Sequence, residues 1–338
     1  MKSPAFLDLK FPMVCGWLIV AVCMAATLPG CSERDADSLV VYSAGPRSLA
    51  DWVCREFEKK TGVSTELYSA TTGEIMAKLQ AEEFRPQADV VILASPTAGE
   101  ALKDQGMLAR LPEGLKVRRE WSDADGYYAG TGACALGIAL REGSASRDLE
   151  WEDIWEGRFP GAFIMPSPSQ SGSSAEFVIA FDIVEGERFW EGLRMAKRTG
   201  LQVSGPNSQA LTGLVLRSHE AVLAAADYLV FRQIAEGEPL VIRYPTSGCP
   251  VISRPIGILD GAHNPKGAAE FVRFCFSPEV QTKIAAEQLL PADPGVPLSP
   301  ERMNAGTLNP MPYDVAKAKT HQREALRRFQ MEIEKSIE

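Results

Sequence analysis

The stretch FIMPSPSQSGSSAEF, residues 163–177, joins a short apolar strand to a helix through a turn made almost entirely of Ser, Pro and Gly. Ser173 and Glu176 have the S-x-x-E spacing of a capping box, in which each side chain accepts a hydrogen bond from a backbone N–H group at the helix start. The further small residues of the turn, and the positive end of the helix dipole, favour an anion at the same place. The stretch therefore predicts a helix start that is also an anion site.

The same succession of apolar strand, Ser/Thr/Gly turn and helix occurs earlier in the chain. Thr71 with Glu74, and Thr97 with Glu100, repeat the capping-box spacing. Alternating strands and helices predict an α/β fold with a mainly parallel sheet, in which ligands bind beyond the carboxyl ends of the strands. The apolar runs that precede these turns are LVVYSAG (39–45), STELYSA (64–70) and ADVVILAS (88–95).

Composition narrows the function classes. The chain has 338 residues, 45% of them hydrophobic, and a formal net charge of −9. Its length allows one large or two medium domains with extensive cores, and its acidic balance argues against nucleic acid as the main partner. Neither a G-x-S-x-G elbow nor a GxxxxGK[ST] loop is present, and His219, His263 and His321 lie in polar segments that predict solvated side chains. We expect neither an enzyme nor a bound cofactor.

The N-terminal segment predicts export. A run without charged residues extends from residue 11 to residue 32 and ends in Leu-Pro-Gly-Cys. This ending looks like the lipobox of a bacterial lipoprotein, in which residues 1–30 are a signal peptide and Cys31 is acylated. Residues 31–38 would then form a polar tether. An uncleaved membrane anchor is the alternative, since the run is about long enough to span a bilayer; both place the chain in the periplasm or cell envelope.

The other cysteines predict no metal site. None of them lies in a CxxC pair or a Cys/His cluster, so zinc binding is not expected. An exported chain is in a compartment that permits disulfides, but the spacing assigns no pairs, and buried free thiols are the interpretation we favour. These cysteines are Cys54, Cys134, Cys249 and Cys275.

Taken together, the segments resemble the solute-binding proteins of ABC importers. The resemblance is to the branch of the ferric-ion-binding proteins, which also includes receptors for hexose phosphates, phosphoglycerate, phosphonates and thiamine, and it covers roughly residues 38–300. It rests on VVYSAGPRSLADWVCREFEKKTG, TTGEIMAKLQAE, ADVVILAS, GTGACALGI, WEDIWEGRFPGAFIMPSPSQSGSSAEF, GEPLVIRYPTSG and NPKGAAEFVRFCFSPEVQ.

The resemblance implies a two-lobed periplasmic-binding-protein fold of type II, with a ligand cleft between lobes that are joined by crossover strands. Lobe 1 would comprise residues 38–133 and 250–300, and lobe 2 residues 134–249 and 301–338. The resemblance further implies a monomer that closes over a small-molecule ligand and docks on an ABC permease and ATPase complex. The lipid on Cys31 would hold it at the membrane.

The turns favour a small anion, phosphorylated or phosphonate, as the ligand. Their hydroxyls and free N–H groups lie at helix starts, where anions bind without a basic side chain. Asp227 would accept hydrogen bonds from sugar or amine groups, although a helix cap or a buried structural acceptor fits it equally, and Asn207 is equally well a turn residue. The expected ligand-binding residues are Ser43, Ala44, Gly45, Thr71, Thr72, Gly73, Ser95, Ser171, Gly172, Ser173, Ser174, Asn207, Asp227, Tyr228 and Tyr244.

Two alternative functions stay open. A ferric-iron receptor would use oxygen ligands such as phenolates, and Tyr228 is the tyrosine at the matching position. Iron-binding relatives carry a Tyr-Tyr pair there, and an Arg on the crossover strand that reads GTGACALGI in this chain. Because this sequence has neither the pair nor the Arg, we favour the prediction that it has no metal site. A periplasmic sensor partner that uses the same closed form is the second alternative.

Overall fold

One mixed sheet runs through the protein, with a helix-covered lobe at each end. The computed structural model describes residues 38–144, 148–159 and 161–335. The expected signal peptide, Cys31 and the tether up to residue 37 lie outside the described residues. The strands are β1 (Leu39–Ser43), β2 (Thr65–Ser69), β3 (Val90–Ile92), β4 (Leu108–Ala109), β5 (Tyr128–Arg141), β6 (Phe163–Met165), β7 (Leu201–Val203), β8 (Ala221–Ala226), β9 (Leu240–Arg243), β10 (Val251–Leu259) and β11 (Leu290–Pro291).

The helices follow the strands much as the sequence pattern predicts. Helix α1 begins after Pro46 and ends at Gly62, whose φ of 76° is the left-handed conformation that glycine adopts at a helix C-terminus. The helices are α1 (Arg47–Thr61), α2 (Thr72–Ala81), α3 (Pro96–Asp104), α4 (Trp151–Trp155), α5 (Gly172–Glu185), α6 (Glu187–Arg198), α7 (Asn207–Val215), α8 (Asp227–Ala235), α9 (Pro265–Cys275), α10 (Pro278–Ala286), α11 (Pro300–Asn304) and α12 (Val315–Phe329), with a π-helical turn at Gln330–Glu334.

The strand order is β2-β1-β3-β10-β5-β8-β6-β7, with β4 paired to β10 and both β9 and β11 paired to β5. Strands β1, β2 and β3 are parallel to one another, as are β6, β7 and β8. Strands β5 and β10 run antiparallel to each other and to their outer neighbours. The prediction of a mainly parallel sheet is therefore correct within each lobe and wrong at the centre, because the chain must cross between lobes in both directions there.

Strand β5 belongs to both lobes. Its first half pairs with β10 next to β1–β3, which we call lobe 1, and its second half pairs with β8 and β9 next to β6 and β7, which we call lobe 2. All but the last of its 14 residues are buried. At about 3.3 Å per residue, the strand is about 46 Å long, which is long enough to pair with strands of both lobes. The two-lobed architecture with crossover strands is confirmed, while the residue boundaries given above for each lobe stay a prediction.

Aromatic side chains form the centre of the lobe 2 core. Phe181 is fully buried, and its ring lies 5.2 Å from that of Trp151 and 5.3 Å from that of Phe189, centroid to centroid. Phe177 is nearer still, at 4.6 Å. Aromatic pairs at these distances add to the free energy gained by burial itself. Because helices α4, α5 and α6 all contribute rings, this cluster fixes where the first turn of α5 lies.

The four cysteines of the described chain are free and buried, as predicted. The prediction that His219 is solvated is wrong. Its side chain is 9% exposed, with one ring nitrogen 3.0 Å from the Ser218 hydroxyl and the other 3.1 Å from the Gln202 amide oxygen. An imidazole whose two nitrogens both have hydrogen-bond partners is buried at little cost.

The C-terminal helix α12 packs on both lobes. It contacts α5 of lobe 2 and α3 of lobe 1, and Lys319 pairs with Asp104 at the end of α3. Asp314 caps its start by accepting hydrogen bonds from the backbone N–H groups of Ala316 and Lys317, at 2.9 and 3.2 Å. The chain therefore connects the two lobes by this helix as well as by β5 and β10.

The aromatic cluster makes a direct stability prediction. We expect Phe181→Ala to lower the free energy of unfolding by about 3–5 kcal/mol, because it removes a buried ring that its neighbours cannot replace. Phe84, which is 96% exposed, provides the matched control, and Phe84→Ala is expected to change stability by less than about 0.5 kcal/mol. Urea unfolding followed by fluorescence measures both variants, and equal effects would show that the cluster does not stabilise the fold.

Candidate functional site

The ends of strands from both lobes meet at one place. The turn after β6 in lobe 2 lies against the start of α2 in lobe 1, where a Cβ built on Gly172 would come within 3.0 Å of Thr72 Oγ1 and 3.4 Å of the Ala94 carbonyl oxygen. A Cβ on Gly73 would lie 3.9 Å from the carbonyl oxygen of Ser169. Glycine at position 172 therefore permits the direct approach of the two lobes, and the structure is that of a closed cleft.

Thr71 caps α2 as the sequence predicts. Its hydroxyl accepts a hydrogen bond from the Glu74 backbone N–H at 3.3 Å, and the Glu74 carboxylate accepts from the Thr71 N–H at 2.8 Å. The next residue, Thr72, is buried, and its hydroxyl accepts a hydrogen bond from the Ala94 N–H at 3.0 Å. This hydroxyl ties the turn after β2 to the turn after β3.

The other two predicted capping boxes are wrong, each by two residues. Ser95, not Thr97, caps α3 by accepting from the Ala98 N–H at 3.1 Å. Pro96 explains this position, because proline favours the first residue of a helix and the cap is then the residue before it. At α5 the cap is Ser171, not Ser173, and it accepts from the Ser174 N–H at 3.1 Å.

Glu176 does not return to its own helix start but crosses to lobe 1. Its side chain is fully buried, and Oε1 accepts hydrogen bonds from the Thr97 backbone N–H at 3.1 Å, from the Thr97 hydroxyl at 2.6 Å and from the Ser95 hydroxyl. Oε2 accepts from the Tyr313 hydroxyl. The start of α3, which the sequence predicts as an anion site through Ser95, therefore binds a carboxylate of the protein itself.

Burial raises the pKa of Glu176 above its ordinary value of 4.5, while the hydrogen bonds from Ser95, Thr97 and Tyr313 act in the opposite direction. The folded protein consequently holds a proton on this carboxyl group at pH values where the unfolded chain has released it. Stability from this group is greatest below the unfolded pKa and decreases as the pH rises through the folded pKa.

The serines of the lobe 2 turn bond to one another and to Asn207. The Ser171 hydroxyl donates to Asn207 Oδ1 at 3.0 Å, and Asn207 Nδ2 donates to the Ser173 hydroxyl at 2.9 Å. The Ser174 hydroxyl donates to the carbonyl oxygen of Pro166 at 2.6 Å. These contacts bring the predicted residues together at the starts of α5 and α7, and their ligand-binding role stays a prediction.

Asp227 and Tyr244 are also brought together, by an arginine that the sequence analysis missed. Asp227 is fully buried at the start of α8, and its Oδ2 accepts hydrogen bonds from the Tyr244 hydroxyl at 2.9 Å and from Arg302 Nη1 at 2.6 Å. This is the buried structural acceptor that the sequence analysis left open for Asp227. Arg302 follows a Ser-Pro helix start near the C-terminus, and nothing local to it indicates a partner 75 residues away.

A second arginine missed from the sequence lies between the lobes. Arg254, on β10, is 5% exposed, and its Nη1 donates to the carbonyl oxygen of Ala44 at 3.3 Å. Its guanidinium carbon lies 5.2 Å from the centre of the Tyr228 ring, at a cation–π distance. Ser43 accepts a hydrogen bond from the Gly45 N–H at 3.1 Å. An arginine within the apolar run VISRPIGIL was the signal that could have revealed it.

Comparison with known proteins identifies the class of this protein. Residues 39–287 match the family of bacterial extracellular solute-binding proteins. Because the match spans well over half of the sequence, the chain belongs to that family. A protein of this class acts outside the cytoplasm and binds a solute. In the part of the chain that the structure describes, no helix has both the length and the apolar character needed to cross a membrane.

Relatives and solved structures give more detail. A probable ABC transporter periplasmic-binding protein of Sinorhizobium fredii is 25% identical over 316 residues, covering 87% of this chain and 85% of that protein. A putative 2-aminoethylphosphonate-binding periplasmic protein of Salmonella typhi is 22% identical over 243 residues, covering 68% of this chain and 69% of that protein.

The fold matches solved structures over nearly their whole length. The ferric binding protein from Campylobacter jejuni superposes with a TM-score of 0.79 at 20% identity, covering 87% of this chain and 99% of that one. AfuA from Actinobacillus pleuropneumoniae, a periplasmic binding protein with fructose-6-phosphate bound, gives a TM-score of 0.79 at 18% identity, covering 88% of this chain and 99% of that one. These likenesses establish the fold.

The raised pKa of Glu176 leads to a pH prediction. We expect the free energy of unfolding of the protein, relative to that of Glu176→Gln, to decrease as the pH rises from about 4.5. The reason is that the carboxyl group of Glu176 keeps its proton to a higher pH in the folded protein than in the unfolded chain, whereas the glutamine side chain does not titrate. Denaturant unfolding at a series of pH values between 4 and 8 measures this difference.

Glu113→Gln serves as the control for this series, because Glu113 is an exposed loop residue. This variant should follow the pH dependence of the original protein. If the curves for Glu176→Gln and Glu113→Gln run parallel, the carboxylate of Glu176 is not held in the desolvated place between the lobes that the structure describes.

Proposed function

We propose that this protein is the solute-binding component of an ABC importer, and that it captures a small anionic solute, phosphorylated or phosphonate, by closing its cleft. The closed form then delivers the solute to a permease and ATPase complex. The protein works as a monomer and binds its solute without chemical turnover.

The observation that carries the proposal is the convergence of helix starts from both lobes. The starts of α1, α2 and α3 in lobe 1 and of α5, α7 and α8 in lobe 2 follow strands of a single sheet, and the turns at α2 and α5 are in contact through Thr72 and Gly172. Helix starts present backbone N–H groups and the positive end of the dipole. A solute that touches both sets is bound better by the closed form than by an open one, and this difference drives closure.

The relatives support an anion containing phosphorus. One is described as binding 2-aminoethylphosphonate and one structure holds fructose-6-phosphate. Ferric iron, the alternative, is less well supported by the charges of the site. Burial raises the pKa of the Tyr228 phenol, while the positive charge of Arg254 acts in the opposite direction. Burial thus disfavours the phenolate that Fe³⁺ prefers, and the Arg254 guanidinium, 5.2 Å from the centre of the ring, would repel the cation itself.

A ligand screen tests the proposal. We expect a phosphonate or a phosphorylated metabolite, added to the full-length protein at about 100 times its Kd, to increase stability by about 2.7 kcal/mol, measured as a thermal shift. The solute should be recovered unchanged. Stabilisation by ferric citrate alone, with a visible absorption that Tyr228→Phe abolishes, would instead establish the iron receptor.

We further propose that Cys31 is acylated and holds the protein at the membrane. The basis is the Leu-Pro-Gly-Cys ending of the uncharged N-terminal run. Cells fed a labelled fatty acid should incorporate it into the protein, and Cys31→Ala should abolish the label. Cys23→Ala, in the same segment, is the matched control and should keep the label, because Cys23 lies in the signal peptide that is removed. Labelling that survives Cys31→Ala would contradict the proposal.

A further inference from the structure

We propose that Arg254 is the cationic anchor for the phosphorus oxyanion of the solute, which it holds between the start of α1 in lobe 1 and the start of α8 in lobe 2. This inference rests on the proposed function as a receptor for an anionic solute and identifies the charge that receives the anion.

Arg254 is a buried cation without a counter-charge. It is 5% exposed, its Nε has no hydrogen-bond partner among the described residues, and the hydrogen bond from its Nη1 to the Ala44 carbonyl oxygen is long at 3.3 Å. None of the carboxylates in the described ranges forms an ion pair with it. A buried charge with no partner is strongly unfavourable, so an anion that binds beside it gains more than it would beside an exposed arginine.

Arg302 shows what a structural buried arginine looks like in the same protein. It is 6% exposed, close to the exposure of Arg254, but its Nη1 lies 2.6 Å from the carboxylate of Asp227. Its other amino group donates to the carbonyl oxygen of Gln288. The Nε of Arg302 also lacks a hydrogen-bond partner among the described residues, so the orphan Nε does not separate the two arginines. What separates them is the carboxylate, because only Arg302 is neutralised by the fold.

The two helix starts beside Arg254, those of α1 and α8, have no side-chain cap, as is also true of α7. Helices α2, α3 and α5 are capped by Thr71, Ser95 and Ser171. By contrast, α1 follows Pro46 and α8 follows Ala226, and at neither start does a described side chain accept a hydrogen bond from the first turn. The backbone N–H groups of these two turns are accordingly available to an anion.

Arg254 connects these two helix starts. Its Nη1 bonds to the carbonyl oxygen of Ala44, just before α1, and its guanidinium lies over the ring of Tyr228, the second residue of α8. An oxyanion on the guanidinium would therefore be close to one uncapped helix start from each lobe. The planar arrangement of Nε and Nη donors suits two parallel hydrogen bonds to a phosphonate or phosphate group.

A small cavity adjoins the guanidinium on the lobe 1 side. It has a volume of about 40 Å³, room for about three water-sized groups, and most of the residues that line it are apolar. Ser43 and Thr131 are among its few polar lining residues, and Arg254 is the one charged residue among the described residues that line it. The cavity therefore leaves room beside the guanidinium, while the oxyanion itself would be held by Arg254 and the helix starts.

The test separates a ligand anchor from a structural arginine by two effects of replacing Arg254, one on the melting temperature without ligand and one on ligand affinity. In the full-length protein, Arg254→Met should leave the melting temperature without ligand unchanged or raise it, because it removes an unpaired buried charge. The same variant should weaken binding of 2-aminoethylphosphonate or inorganic phosphate, whichever stabilises the original protein, by roughly 10- to 100-fold. Arg254→Lys, which keeps the charge without the planar pair of donors, should fall between the two.

Two controls accompany these variants. Arg302→Met should lower the melting temperature without ligand, because Asp227 is left as an unpaired buried carboxylate. Arg110→Met removes an exposed arginine and should change neither quantity. Thermal shifts are recorded against phosphonate, phosphate and acetate at constant ionic strength set with chloride.

Each result decides between specific alternatives. If Arg254→Met binds the phosphorus oxyanion within twofold of the original protein, Arg254 is not the anchor, although the proposed function stands. If Arg254→Met destabilises the protein without ligand as much as Arg302→Met does, its role is structural and the inference fails. Stabilisation by acetate alone also overturns it, and if none of the anions stabilises the original protein, the anionic solute of the proposed function fails with it.

Discussion

A buried carboxylate that must be satisfied by both lobes determines how this protein closes. Glu176 projects from α5, and its carboxylate accepts hydrogen bonds from Ser95 and Thr97 at the start of α3 in the other lobe. A desolvated carboxylate is tolerated only when it receives several hydrogen bonds. The aromatic core behind α5, the proline at the start of α3 and the position of Tyr313 all serve to bring these donors to one point. The closed arrangement of the lobes is thus specified by the protein's own polar groups.

This constraint divides the helix starts of the cleft into two kinds. Those of α2, α3 and α5 are satisfied internally, by a Thr or Ser cap and, for α3, by the carboxylate of Glu176 as well. Those of α1, α7 and α8 have no side-chain cap among the described residues, and Arg254 lies beside α1 and α8. The capped helix starts therefore keep fewer free N–H groups for a solute than the uncapped ones do, which makes the starts of α1 and α8, with Arg254 beside them, the stronger candidates for contact with its anionic group.

The sequence predicts the fold of the lobes well because its signals are local. The alternation of apolar strands with helices, and the box formed by Thr71 and Glu74, depend on residues within a few positions of one another. The spacing of Ser173 and Glu176 predicted a box that does not form, because Glu176 bonds to the other lobe and Ser171 caps the helix instead. Arg254 and Arg302 were missed for the same reason, since their environments are built from residues far apart in the chain.

The position of α12 has a mechanical consequence. Two adjacent antiparallel strands, such as β5 and β10, form a narrow ribbon that bends easily and also twists easily, so lobes joined by it alone could rotate about more than one axis. A helix that packs on α3 and α5 at once, and is held to Asp104 through Lys319, adds a connection at a distance from that ribbon. Such a connection resists torsion while permitting some bending, which reduces the relative motion of the lobes towards a single degree of freedom and lets them return to the same register at every cycle.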